Sequence, residues 1–176
     1  MHSAEVSRLA QPAALDDLLL YRLSRLLAVG GSPVIRLCEG RFGITRREWC
    51  VLALLAQNEG LLSSQLAARA QLDRARTSRA VTTLVAKKRL PCETRPGDRR
   101  QATLALTDAG RDVFQQLLPL VVGLNHPLLD GLGAHDVALL DRVLDTLQQR
   151  ADQMVASADL PRADRRRGGR IRRAMG

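Results

Sequence analysis

The chain has 176 residues, 45% of them apolar, with a net charge of +9. This is enough to build one cored domain with an attached helical element, and no apolar run reaches membrane-spanning length. The start, Met-His-Ser-Ala-Glu-Val-Ser-Arg, lacks a secretory pattern, and three cysteines without C-x-x-C spacing exclude a disulfide framework. The sequence therefore reads as a soluble, cytoplasmic protein. Cys38, Cys50 and Cys92 read as reduced thiols acting as small hydrophobes, with redox sensing by one of them as the alternative.

Charge is segregated along the chain. Residues 1–68 carry seven Arg and six acids, whereas residues 69–100 carry ten Lys/Arg and three acids. Residues 101–159 reverse the sign, with three Arg and eight Asp, and 160–176 hold seven Arg and one Asp. A basic stretch between near-neutral and acidic segments is the footprint of a polyanion-binding module.

Leu15, Leu18, Leu19, Leu23, Leu26 and Leu27 stand at helical spacing and predict a first helix over 15–28, ended by Gly30-Gly31. Ser32-Pro33 reads as the cap and first position of a second helix closing near Gly40. Thr45 and Glu48, three apart before Trp49, Leu52 and Leu55, form a capping box that opens a third helix, with Gly60 as its stop. Ser63 or Ser64 caps a two-turn helix over 65–69. Asp73 then caps a longer one to about Arg89, whose inner stripe is Ala80, Val81, Leu84 and Val85. Two helices joined by a very short turn, the second rich in Arg and hydroxyl side chains, form a helix-turn-helix.

Residues 92–95 and 99–106 read as strands around a Pro96-Gly97-Asp98 turn, because Ala102, Leu104 and Leu106 alternate with polar or small neighbours. Thr107 caps a long helix from Asp108. A break at Asn125-His126-Pro127 and Gly131-Leu132-Gly133 precedes a last helix over about 134–156. From Pro161 the Arg- and Gly-rich chain reads as a flexible arm. The domains expected are an arm (1–14), dimerisation helices (15–44), a winged DNA-binding lobe (45–107), further dimerisation helices (108–158) and a basic tail (159–176). The fold class is mainly α with a small β-hairpin wing.

This order of elements resembles the multiple antibiotic resistance regulator (MarR) family of winged helix-turn-helix repressors. The likeness rests on Phe42-Gly43-Ile44-Thr45 leading into Glu48-Trp49-Cys50-Val51-Leu52, and on the two-helix reader at 63–89. It rests above all on Arg95-Pro96-Gly97-Asp98-Arg99-Arg100 followed by Leu104-Ala105-Leu106-Thr107-Asp108-Ala109-Gly110. Within the family the overall likeness is to the branch that represses nicotinate degradation, which implies a hydroxynicotinate effector.

The reader helix would enter the major groove with Arg74, Arg76, Thr77, Ser78 and Arg79, since Arg suits bidentate bonding to guanine and hydroxyls suit phosphates. Ser64 and Gln65 would meet backbone phosphate at a helix N-terminus. The family's Asp-x-Arg wing pattern falls on Asp98 and Arg100, the acid fixing the guanidinium for a narrow minor groove. Arg95 and Arg99 add phosphate contacts. The resemblance also implies a homodimer on duplex DNA, with half-sites about one helical turn apart, and a small aromatic carboxylate as effector. Arg22, Arg25 and Arg36 would supply its cation, and Tyr21, Phe42 and Trp49 its flat walls.

No phosphate loop, zinc-protease helix, nucleophile elbow or paired carboxylates are seen, so catalysis is not expected. No cofactor is expected. His2, His126 and His135 are too scattered to suggest a metal site. Residues 69–100 contain no aromatic side chain, which disfavours single-strand binding by stacking. A sequence-indifferent DNA architectural protein is the remaining rival.

Overall fold

The computed structural model describes residues 7–70, 74–91 and 103–157. They divide into two compact units at Asp130 and Gly131.

The first unit opens with a 3-10 turn, Leu15–Asp17, followed by α1, Leu19–Gly30. The 3-10 turn is where the expected continuous helix over 15–28 differs. Asp17 turns back to accept the Ala13 and Ala14 N–H groups at 3.1 and 3.0 Å, which satisfies the amides locally and delays the helix. No residue of α1 is buried. Helix α2, Ser32–Phe42, has Pro33 in its first turn, but Ser32 makes no side-chain cap. It also runs past Gly40 to Gly43, whose φ of +62° is the left-handed conformation that glycine adopts without strain. The Ile44 N–H then closes on the Cys38 carbonyl at 3.0 Å.

The capping box forms as expected. Glu48 N–H donates to Thr45 Oγ1 at 3.2 Å, and Thr45 N–H donates to Glu48 Oε2 at 2.6 Å. It opens α3, Arg46–Gln57, which buries Glu48, Trp49, Val51, Leu52 and Leu55. Strand β1, Leu61–Leu62, leads into α4, Ser63–Arg69, and α5 spans Arg74–Ala86. Neither Ser63 nor Ser64 caps α4. Leu62 is the cap position, and its N–H donates to Gln65 Oε1 at 2.9 Å. Strand β2, Thr103–Leu104, pairs antiparallel with β1, Leu61 opposite Leu104 and Leu62 opposite Thr103. The expected first wing strand, the turn at 96–98 and the Asp73 cap lie outside the described residues.

Thr107 caps α6, Asp108–Leu129, by accepting the Gly110 N–H at 3.0 Å. Its hydroxyl also donates to the Lys88 carbonyl at 2.8 Å. The expected break at 125–127 is absent, and α6 runs through both Pro119 and Pro127. Both prolines are exposed, as are Gln115 and Gly123 four residues before them. The carbonyls that lose their helical donors there can turn to water.

Leu52, Leu55, Leu66, Leu84, Leu90, Val113 and Leu117 close the core, with contributions from α3, α4, α5 and α6. The first half of α6 is thus part of the core that α3, α4 and α5 share, and not confined to the separate 108–158 helical region expected from the sequence. At Gly110 the backbone passes so close to Arg89 that a Cβ would lie 2.2 Å from the Arg89 carbonyl oxygen, so only glycine fits.

The second unit contains one described helix, α7, Ala134–Ser157, with no buried residue. Leu139, Leu140, Val143, Leu144, Met154 and Val155 are exposed along it. Among the described residues no single helix is long and apolar enough to cross a membrane.

Candidate nucleic-acid interface

Helix α5 has two faces. Thr77, Ala80 and Leu84, spaced three and four apart, point into the core. On the other side Arg74, Arg76, Ser78, Arg79, Thr82 and Thr83 are exposed. No acid occurs between Arg74 and Ala86, so the side chains of α5 itself add only positive charge to its outward face. Arg79 is held by its Nε donating to the Ala75 carbonyl at 3.2 Å, and Thr83 Oγ1 donates to the Arg79 carbonyl at 2.9 Å.

Thr77 departs from the expectation. It is 0% exposed and shares the core stripe, so it cannot reach a base or phosphate. A hydroxyl among arginines looked like a reading residue, but its place three before Ala80 and seven before Leu84 puts it inside. Ser64 and Gln65 are exposed in the first turn of α4, with the Gln65 amide oxygen engaged by Leu62. Arg95, Asp98, Arg99 and Arg100 lie outside the described residues.

The far end of α5 is tied to the α2–α3 corner. Lys87 Nζ donates to Glu48 Oε2 at 2.9 Å and to the Gly43 carbonyl at 2.7 Å. Glu48 is 2% exposed, so this ammonium compensates a carboxylate that would otherwise be a buried lone charge. Neither partner role was visible in the sequence, where Glu48 showed only as half of a capping box.

The six expected effector residues are not gathered in one place. Tyr21 and Arg25 meet as a cation over a ring, 5.9 Å from its centroid, and Arg25 pairs with Asp16 at 2.9 Å. Arg22 and Arg25 line an open hollow on α1 with Arg8, Asp16, Leu26 and Val29. Arg36 is exposed on α2 and does not line this hollow. Phe42 packs partly buried against the core under Arg41. Trp49 is a core residue, its ring stacked on Phe114 at 5.7 Å with 20° between the planes. Sequence spacing placed Trp49 on α3 correctly, but could not show that Phe114, 65 positions later in α6, closes over it.

A helix-turn-helix with a basic second helix, followed by a strand that returns to pair beside the first, defines a winged helix-turn-helix lobe. Residues 42–101 match a protein-family model described as MarR family. Three solved structures illustrate the likeness. A MarR/EmrR family transcriptional regulator from Acinetobacter sp. ADP1 superposes with a TM-score of 0.72 at 21% identity, over 80% of this chain and 99% of that one. The transcriptional repressor CouR, bound to a 23-mer DNA duplex, gives 0.66 at 26% identity, over 76% and 94%. BpsR of Bordetella bronchiseptica, whose DNA binding is described as regulated by 6-hydroxynicotinic acid, gives 0.68 at 18% identity, over 78% and 97%. No protein of curated function matches the chain in sequence. Residues 42–101 are thus similar to the MarR family, and the likeness in fold to solved MarR-family structures covers about four fifths of the chain.

Proposed function

We propose that the protein is a homodimeric repressor that binds pseudo-palindromic duplex DNA and is released from it by a small aromatic acid. The observation that carries the reading is the outer face of α5, where Arg74, Arg76, Ser78 and Arg79 are exposed on a helix without acids, its inner face locked in the core. Arginine on a solvent-facing reader helix suits guanine edges and phosphates. The family resemblance adds Arg95, Asp98, Arg99 and Arg100 to the proposed DNA contacts, with the minor groove as the proposed target of Arg100.

Dimerisation is supported by apolar faces that the described chain leaves open. On α1, Leu20 and Val29 are 76% and 77% exposed, with Leu26 and Leu27 beside them in sequence. On α6, Val122 and Leu128 are exposed, and α7 carries its own apolar row. Surfaces of this kind are what an obligate two-fold interface removes from water. Ligand response is supported by the description of BpsR, and a hydroxynicotinate is the effector we favour on that likeness. A thiol switch at Cys38 or Cys50 is disfavoured, because burial pushes both thiols above their ordinary value, away from the reactive thiolate.

Arg79→Ala and Arg100→Ala test the surface. Each should weaken binding to the gene's own upstream duplex and lower the slope of log affinity against log salt by about 0.9 where the lost contact is a phosphate. Unchanged affinity and slope in both variants would show that this surface does not read DNA.

A further inference from the structure

The segment that holds α4 and α5 is fastened at both ends to the first turn of α6. At its exit, Thr107 N–H donates to the Arg89 carbonyl at 3.2 Å, and Thr107 Oγ1 donates to the Lys88 carbonyl while accepting the Gly110 N–H. Arg89 Nη1 donates in return to the Ala109 carbonyl at 3.1 Å. Lys88 turns the chain out of α5 with a φ of +57°, a left-handed conformation that costs any residue with a side chain. At the entry, ahead of β1, Glu59 pairs with Arg111. Arg89 Nε is buried and has no hydrogen-bond partner among the described residues. An apolar side chain would spare the fold that orphaned donor, so the bond across the corner is what the guanidinium supplies there.

We propose that Thr107 and Arg89 are positioning residues for DNA recognition, which set the angle between α5 and α6 and through it the separation of the two reader helices in the dimer. The inference rests on the homodimeric reading above and names what fixes its geometry. Helix α6 carries the corner at one end and the exposed Val122 and Leu128, part of the proposed dimer face, towards the other. It is held in turn by packing on α2 and α3. Helix α5 has 13 residues, a rod of about 20 Å at the usual rise. A swing of about 10° at the corner would carry Arg74, at the far end, by about 3.5 Å, close to the rise of one base pair. Small losses of angle are therefore large losses of register. The Glu59–Arg111 pair is open to solvent on both sides and contributes little. The exit corner carries the constraint.

The test uses the full-length protein with the upstream duplex trimmed to its footprint, the same duplex with one, two or five base pairs inserted at its centre, and a duplex holding a single half-site. One inserted pair turns the second half-site by about 35° and moves it by about 3.4 Å. Wild type should bind the native spacing about tenfold or more tighter than the one-pair insertion, the cost of one mismatched pair. Thr107→Val keeps the shape of the side chain and removes both hydroxyl bonds. Arg89→Met removes the bond to Ala109 together with the orphaned donor, so it carries the test if Thr107→Val does not fold. Each variant should lower the spacing preference about threefold or more, the worth of one hydrogen bond, and leave half-site affinity unchanged. Thr107→Ser should restore the wild-type preference.

A wild-type spacing preference in both variants overturns the proposal. So does an equal loss on the native, inserted and half-site duplexes, which is what a purely structural role would give. A loss that Thr107→Ser does not repair overturns the part assigned to the hydroxyl. A wild-type protein that binds every spacing alike, yet prefers its half-site to random duplex, refutes the fixed dimer geometry and this proposal while leaving α5 as the reader. Equal binding to random duplex removes the DNA-reading function itself, and the proposal falls with it.

Discussion

Replacing Lys87 by Met would keep the aliphatic stem and remove the ammonium that meets Glu48 Oε2 at 2.9 Å and the Gly43 carbonyl at 2.7 Å. Glu48 would retain only the Thr45 N–H, at 2.6 Å, on a carboxylate that is 2% exposed. Breaking a fully buried pair by deleting one partner costs about 3–5 kcal/mol. The Lys87 side chain is 34% exposed, so water can enter from its side and replace part of what is lost. The cost therefore falls below that range, at about 2–3 kcal/mol. For a chain of this length that lowers the melting temperature by about 5–10 °C. Urea unfolding followed by circular dichroism and by the fluorescence of Trp49, the only tryptophan, would measure it at fixed protein concentration. Glu48→Gln in the Lys87→Met background should recover part of the loss, because a neutral amide no longer needs the ammonium. A Lys87→Met protein within about 0.5 kcal/mol of wild type, or a double variant no more stable than the single one, would refute the reasoning.

Gly110→Ala should destabilise the lobe by about 3 kcal/mol, because the new methyl would meet the Arg89 carbonyl oxygen at 2.2 Å and the backbone must shift. A urea midpoint equal to wild type would contradict that close approach. Stability should also fall as pH rises above 9. Cys38 and Cys50 are held above their usual 9.0 mainly by burial, so the unfolded chain ionises its thiols first and is favoured as pH climbs from 9 towards the folded values. The Cys38→Ala, Cys50→Ala double variant should flatten that fall relative to its own stability at pH 7. A wild-type curve flat from pH 8 to 10 would count against it.

Much of this fold is written in short-range chemistry. The Thr45–Glu48 box and the Thr107 cap form as their spacing demands, because capping is settled within one turn. The leucine stripe of α1 and the core stripe of α5 are likewise local periodicities. Errors arise where a distant or solvent-facing partner decides. Pro127 reads as a helix breaker, but on the exposed side of α6 it costs only a donor that water can replace. Leu61–Leu62 is too short to show a strand period and becomes one only because Leu104, more than forty residues later, pairs with it. Thr77 looked like a DNA contact by composition and is core by phase. A hollow of about 470 Å3 between α2, α3 and the leading end of α5 draws its lining from separate segments between positions 35 and 76. No window of sequence could assemble it.

The central claim is that α5 and its neighbouring wing read a particular duplex. It is tested most directly by competition, with the full-length protein on labelled DNA from its gene's own upstream region, challenged by unlabelled copies of that DNA or by random duplex at physiological salt. Specific recognition predicts that the cognate competitor is effective at concentrations about 10³-fold or more below the random one. Equal displacement by both would mean that the arginine face holds DNA without reading it.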